Sequence, residues 1–171
     1  MLLVEPCCAP KHLLALRNKL GTDGTTFWHG NGDLSLAELL PPLLTRYSEV
    51  EMMIVAPALP DRATQLIQRL MQKQYPTKDG KGKLDVIAHL TLVTDFSEKR
   101  SPMAAAWIKD NTFGDKLTCK NVQQNDTAII LPDIALWGPI NMVYRGHFTA
   151  LATKNARTIA TLRGEYERMS V

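Results

Sequence analysis

Apolar residues recur along this chain with a period that switches between helix and strand. From Lys11 to Leu20, Leu13, Leu14, Leu16 and Leu20 fall at helical spacing among Lys11, Arg17 and Lys19, and Gly21 closes the run, so a short helix is expected. Gly21 to Asp33, rich in Gly, Thr and Asn around Phe27-Trp28, predicts a turn, a short strand and another turn. Ser35 with Glu38 three residues on forms a capping-box pattern that opens a helix. Pro41-Pro42 is expected to kink or restart it, leaving Leu43 to Tyr47 as a second half. Met52-Met53-Ile54-Val55-Ala56 has the pattern of a strand buried on both faces. Asp61 is placed to cap the next helix, whose Ala63, Leu66, Ile67, Leu70 and Met71 form one apolar stripe.

Tyr75 to Lys83 reads as an internal loop, Leu84 to Phe96 as a second long strand, and Ser101-Pro102 as the start of a helix running through Trp107-Ile108. After Gly114 the pattern shortens into strands at Leu117 to Val122, Thr127 to Leu131, Ile134 to Trp137 and Tyr144 to Ala152. A final helix follows, capped by Asn155 and buried along Ile159, Leu162 and Tyr166. This succession predicts an α/β sandwich built on a mixed sheet. No repeat of fixed period and no low-complexity linker divides it.

The 171 residues suit one domain with a substantial core. Hydrophobic content of 45% and charged content of 22% exclude wholesale disorder. A net charge of +3, from 20 basic against 17 acidic residues, gives only weak non-specific attraction to phosphate. The basic groups in Lys78-Asp79-Gly80-Lys81-Gly82-Lys83 and in Glu98-Lys99-Arg100 read as solvated loops. Cys7, Cys8 and Cys119 are odd in number and two are adjacent, unlike an extracellular disulfide framework. The N-terminal residues lack a charged leader before an unbroken apolar run, and no stretch is long enough to span a bilayer. A cytoplasmic protein with no membrane association is expected.

Thr127 to Asn141, TAIILPDIALWGPIN, carries the most specific pattern: two apolar runs flank Pro132-Asp133, and the second ends in Gly138-Pro139-Ile140-Asn141. This resembles the signature hairpin of the phospholipase D and bacterial endonuclease superfamily, which carries His-x-Lys-x4-Asp on its first strand and Gly-Ser-x-Asn after its second. The resemblance runs from about Leu36 to Met169, with Gly146 to Ala152 and Asn155 to Met169 matching the family's closing strand and helix. It implies a single domain over 1–171: an N-terminal extension of about 1–34 and a phospholipase D-like core of about 35–171. Anchored on Gly138 and Asn141, the family pattern puts Gln124 at the nucleophilic His, Asp126 at the Lys and Leu131 at the Asp. A shift of two residues that uses Asp133 as the acid puts Asp126 and Ala128 at the His and Lys positions, again without nucleophile or cation. Pro139 replaces the motif Ser. Gly138 and Asn141 then survive either as turn formers or as remnants of a phosphate-binding loop.

The resemblance therefore implies a bacterial-type, single-half family member with a degenerate motif and no phosphodiesterase activity, serving as a binding or assembly module for protein or nucleic acid. Single halves in the family pair, so a homodimer is implied. Two rivals stay open. One is a hydrolase acting through displaced residues, with His89, His147, Asp95 and Asp126 as catalytic candidates converging in one pocket. The other is an unrelated α/β ligand-binding domain. His89 and His147 fall in predicted strands, where a satisfied buried histidine is the alternative to catalysis, and Asp95 follows a strand end where α/β ligands bind. No cofactor is expected. His12, His29, His89 and His147 form no local ligand pair, Cys7-Cys8 with His12 falls short of four zinc ligands, and the glycine clusters match neither a P-loop nor a dinucleotide fingerprint. Trp28, Trp107 and Trp137 read as packing residues.

Overall fold

The computed structural model describes residues 9–32, 35–140, 142 and 145–169. Helix α1 (Ala9–Leu20) leads into strand β1 (Thr25–Asn31), then α2 (Leu36–Leu44), β2 (Val50–Val55), α3 (Asp61–Gln72), and a small hairpin of β3 (Gln74–Pro76) and β4 (Lys83–Asp85). Strand β5 (Ile87–Thr94), α4 (Pro102–Asp110), a 3-10 turn at Gly114–Lys116 and β6 (Leu117–Asn121) follow. The chain closes with β7 (Thr127–Ile130), β8 (Ala135–Gly138), β9 (His147–Thr153) and α5 (Ala156–Arg168).

Seven strands form one mixed sheet in the order β1-β9-β8-β7-β2-β5-β6. β2, β5 and β6 are parallel, whereas β7, β8, β9 and β1 add as antiparallel neighbours. Apolar residues of α1 to α4 and one sheet face make the larger core, and Ile159 and Tyr166 of α5 close a smaller one on the other face. The segment read as an N-terminal extension supplies β1, the edge strand paired along its length with β9. There Gly30 leaves room for the Phe148 ring, which packs edge-to-face on Trp28 at 5.3 Å.

Several sequence expectations are corrected. Helix α2 runs unbroken through Pro41 and Pro42 to Leu44. Its five buried leucines, Leu36, Leu39, Leu40, Leu43 and Leu44, contribute about 1.5–3 kcal/mol each, which outweighs about 3 kcal/mol per interior proline. Pro60, not Asp61, is the N-cap of α3, and Asp61 occupies the first turn, where its charge faces the positive end of the helix dipole. The expected loop from Tyr75 to Lys83 is a hairpin whose ends pair Tyr75 with Leu84 and Pro76 with Lys83. The expected strand from Leu84 to Phe96 is broken at Val86, whose N–H bonds the Lys73 carbonyl in line with the β3–β4 pairing before β5 joins the main sheet. At the C-terminus the expected cap is present: Asn155 accepts from the Thr158 N–H at 3.0 Å.

Candidate functional site

The parallel order of β2, β5 and β6 brings three carboxyl ends together at one edge of the sheet, beside the start of β7. Such ends are where open α/β sheets place ligands, because the loops leaving them diverge. Here Pro57 after β2, Asp95 and Arg100 after β5, and Gln123, Gln124 and Asn125 after β6 line an open cleft of about 340 Å3. The cleft is held by two ties between the ends of β5 and β6: Val122 N–H to the Thr94 carbonyl at 3.0 Å, and Phe96 N–H to the Asn121 side-chain Oδ1 at 3.0 Å.

Within the cleft, Asp95 is a turn-former. Its carboxylate accepts from the Ser97 backbone N–H at 2.9 Å. That bond, the Ser97 hydroxyl and then the Arg100 charge hold it below the usual carboxylate range, against the work of a general acid at neutral pH. Gln124 folds its side-chain carbonyl back onto the Asp126 backbone N–H. This bond orients the amide, so its Nε2 donor is the free end; that atom is buried and has no partner among the described residues. Asp126 itself accepts from the Tyr166 hydroxyl at 3.1 Å. Burial and the Asp126 charge push that phenol well above its ordinary value, which makes it a structural donor.

Of the four catalytic candidates, Asp95 alone lines this cleft. His89 lies near the opposite end of β5, where its Nε2 meets Thr118 Oγ1 at 2.9 Å; six residues of strand separate it from Asp95, about 20 Å. His147 opens β9, three strands beyond β2 in the sheet order. Neither is the buried histidine expected of a strand interior: His89 is half-buried and His147 exposed. Leu131 is buried. Asp133, in the β7–β8 turn, accepts from the Tyr47 hydroxyl.

Gly138 has a backbone reason to be glycine, with φ at 152°. Asn141, Cys7 and Cys8 lie outside the described residues. Among the described residues no group of three or more His, Cys, Asp or Glu is placed to hold a metal, and no helix is long and apolar enough to cross a membrane. Burial raises the Cys119 thiol to about 11, an unreactive side chain. Arg100 was hidden in the charge run Glu98-Lys99-Arg100; its place just past a parallel strand's carboxyl end was the signal that could have found it.

No protein-family model matches the sequence, and no curated protein matches it. Solved structures do. NucT from Helicobacter pylori aligns at a TM-score of 0.53 and 12% identity over 86% of this chain and 95% of its own. Phosphatidylserine synthase from Haemophilus influenzae aligns at 0.51 and 12% identity over 85% of this chain and 37% of its own. The fold is of the phospholipase D/Nuc type. TrmBL2, an archaeal chromatin protein whose structure shows a novel mode of DNA binding, aligns at 0.50 and 13% identity over 93% of this chain. The chain spans 57% of TrmBL2, so it matches part of that protein and part of the synthase but nearly all of NucT.

Proposed function

We propose that this chain is a non-catalytic nucleic-acid-binding module on a phospholipase D/Nuc-type fold. The observation that carries the reading is Gln124: at the position assigned to the nucleophilic imidazole, the cleft offers a buried amide N–H donor without a hydrogen-bond partner among the described residues. An amide can donate to a phosphate oxygen but cannot attack phosphorus or shuttle a proton. Arg100 adds a cation, and Gln123 and Asn125 add neutral polar groups, a set suited to holding a phosphodiester without cleaving it. The existence of a DNA-binding chromatin protein of similar fold supports nucleic acid over protein as partner. A hydrolase using His89, His147, Asp95 and Asp126 is not favoured, because strand length and sheet order keep His89 far from the cleft.

The test pairs binding with turnover. Purified protein should shift the anisotropy of a fluorescein-labelled DNA duplex, and Arg100→Ala with Gln124→Ala should weaken that binding. It should cleave neither the duplex nor bis(p-nitrophenyl) phosphate, with or without divalent metal. Cleavage abolished by His89→Ala or His147→Ala would overturn the reading.

A further inference from the structure

The surface outside the cleft is not uniformly mixed in charge. α3 starts four residues after cleft residue Pro57 and runs back along the sheet. Its buried stripe is Ala63, Thr64, Ile67, Leu70 and Met71. Its solvent side presents Arg62, Gln65, Arg69 and Gln72, with Asp61 in the first turn as the helix's one carboxylate. Lys73 then leads into the β3–β4 hairpin, where Lys78, Lys81 and Lys83 are also exposed. None of these lysines or arginines is in an ion pair among the described residues.

Of the hairpin's two carboxylates, Asp85 is paired outside it, whereas Asp79 stays ionised in the turn and offsets one of the three lysine charges. Asp79 accepts from the Thr77 hydroxyl at 2.5 Å and the Lys81 backbone N–H at 3.0 Å, closing the turn. Asp85 accepts from Gln74 at 2.9 Å and pairs with Lys116 at 3.2 Å. The turn is further fixed by Thr77 N–H to the Gly82 carbonyl and by Gly80 N–H to the Thr77 carbonyl, both 2.9 Å, with Gly80 at φ 70°. Tyr75 packs against the core beneath, with the Lys73 ammonium 5.5 Å from its ring centre. A turn tied this closely presents its lysines from an ordered backbone, so that only their side chains remain to be ordered on binding.

We propose that the exposed face of α3 and the β3–β4 hairpin form one cationic track for the sugar-phosphate backbone of a nucleic acid. The choice of partner rests on the function proposed above; the surface does not, since it lies outside the cleft. Twelve residues of α3 span about 18 Å, and the hairpin extends the track by about 10 Å, most of one turn of B-form duplex at about 34 Å. The track joins the cleft end of the sheet to the opposite end, so one duplex lying along it reaches both.

The experiment measures binding of a fluorescein-labelled duplex of about two helical turns by anisotropy across a salt series. It compares wild type, Lys78→Ala/Lys81→Ala/Lys83→Ala, Arg62→Ala/Arg69→Ala, and a control that loses as many charges as the hairpin variant, Lys11→Ala/Lys19→Ala/Arg157→Ala. All substituted side chains are exposed, so melting temperatures should stay within about 2 °C of wild type. The hairpin variant should flatten the slope of log affinity against log salt by about 2–3 and the helix variant by about 2, while the control keeps most of the wild-type slope. Equal loss in the control would refute a defined track. Unchanged slopes in both track variants, with Arg100→Ala impaired, would refute the track and leave the cleft reading standing. Wild type that ignores DNA but binds phosphatidylserine vesicles would overturn both.

Discussion

Replacing Gly138 by alanine separates a turn-forming glycine from a phosphate-binding one. Gly138 ends β8 with φ at 152°, a conformation almost confined to glycine. A Cβ built there falls 2.9 Å from the Thr149 carbonyl oxygen and 3.1 Å from the Ala150 Cα. Both are backbone atoms of β9, paired with β8 on one side and β1 on the other, so they cannot swing aside as a flexible side chain would. Backbone strain of about 1–3 kcal/mol and overpacking of about 1–3 kcal/mol together lower stability by about 3 kcal/mol. For a chain of this size that is a fall in melting temperature of about 6–12 °C. Differential scanning calorimetry of Gly138→Ala reads it directly, and urea unfolding should show a lower midpoint at unchanged slope. A variant that melts with the wild type would refute the structural reasoning and, if it had also lost DNA affinity, would return Gly138 to a ligand-binding role.

Two further outcomes follow from individual contacts. Glu38 is held below its usual range first by hydrogen bonding to Arg145, whose NH2 lies 2.6 Å away, with Ser35 adding to it. Because the folded-state value is lowered, the stabilisation is fully present above the unfolded value near 4.5 and is lost as pH falls through the folded one. The gap in melting temperature between wild type and Glu38→Gln should therefore be largest near neutrality and narrow as pH falls below the unfolded value near 4.5; a gap that widens on acidification would contradict it. Cys119, raised to about 11 by burial, should be alkylated by iodoacetamide at pH 8 far more slowly in folded than in urea-unfolded protein. Peptide mass mapping in a Cys7→Ser/Cys8→Ser background reads this, and equal rates would show the thiol to be open to solvent.

Much of the fold was legible because helix and strand periodicities are local. The Asn155 cap, the proline opening α4, the buried stripe of α3 and the short strands after Gly114 all follow from spacing within a few residues. The hairpin frame around Pro132-Asp133 was legible for the same reason, and with it the phospholipase D/Nuc resemblance, because a turn between two apolar runs is a local feature. Errors arose where a distant partner decided the outcome. α2 passes through Pro41-Pro42 because its leucines are buried by the rest of the molecule, and the Lys-rich loop is a hairpin because Tyr75 is anchored on the core.

Sequence alone determined the fold class and most of the element order, since these need only residue identity and short-range periodicity. Tertiary structure decided which residues share a site. Gln124, Arg100 and Asp95 meet in one cleft only because β2, β5 and β6 run parallel and end at the same edge. His89 is excluded because a strand extends about 3.3 Å per residue and carries it to the other end. The charge track likewise escaped a reading by composition: a net charge of +3 says nothing of where the cations stand. Their segregation on α3 and its hairpin depends on which helix face is buried and which acids are already paired.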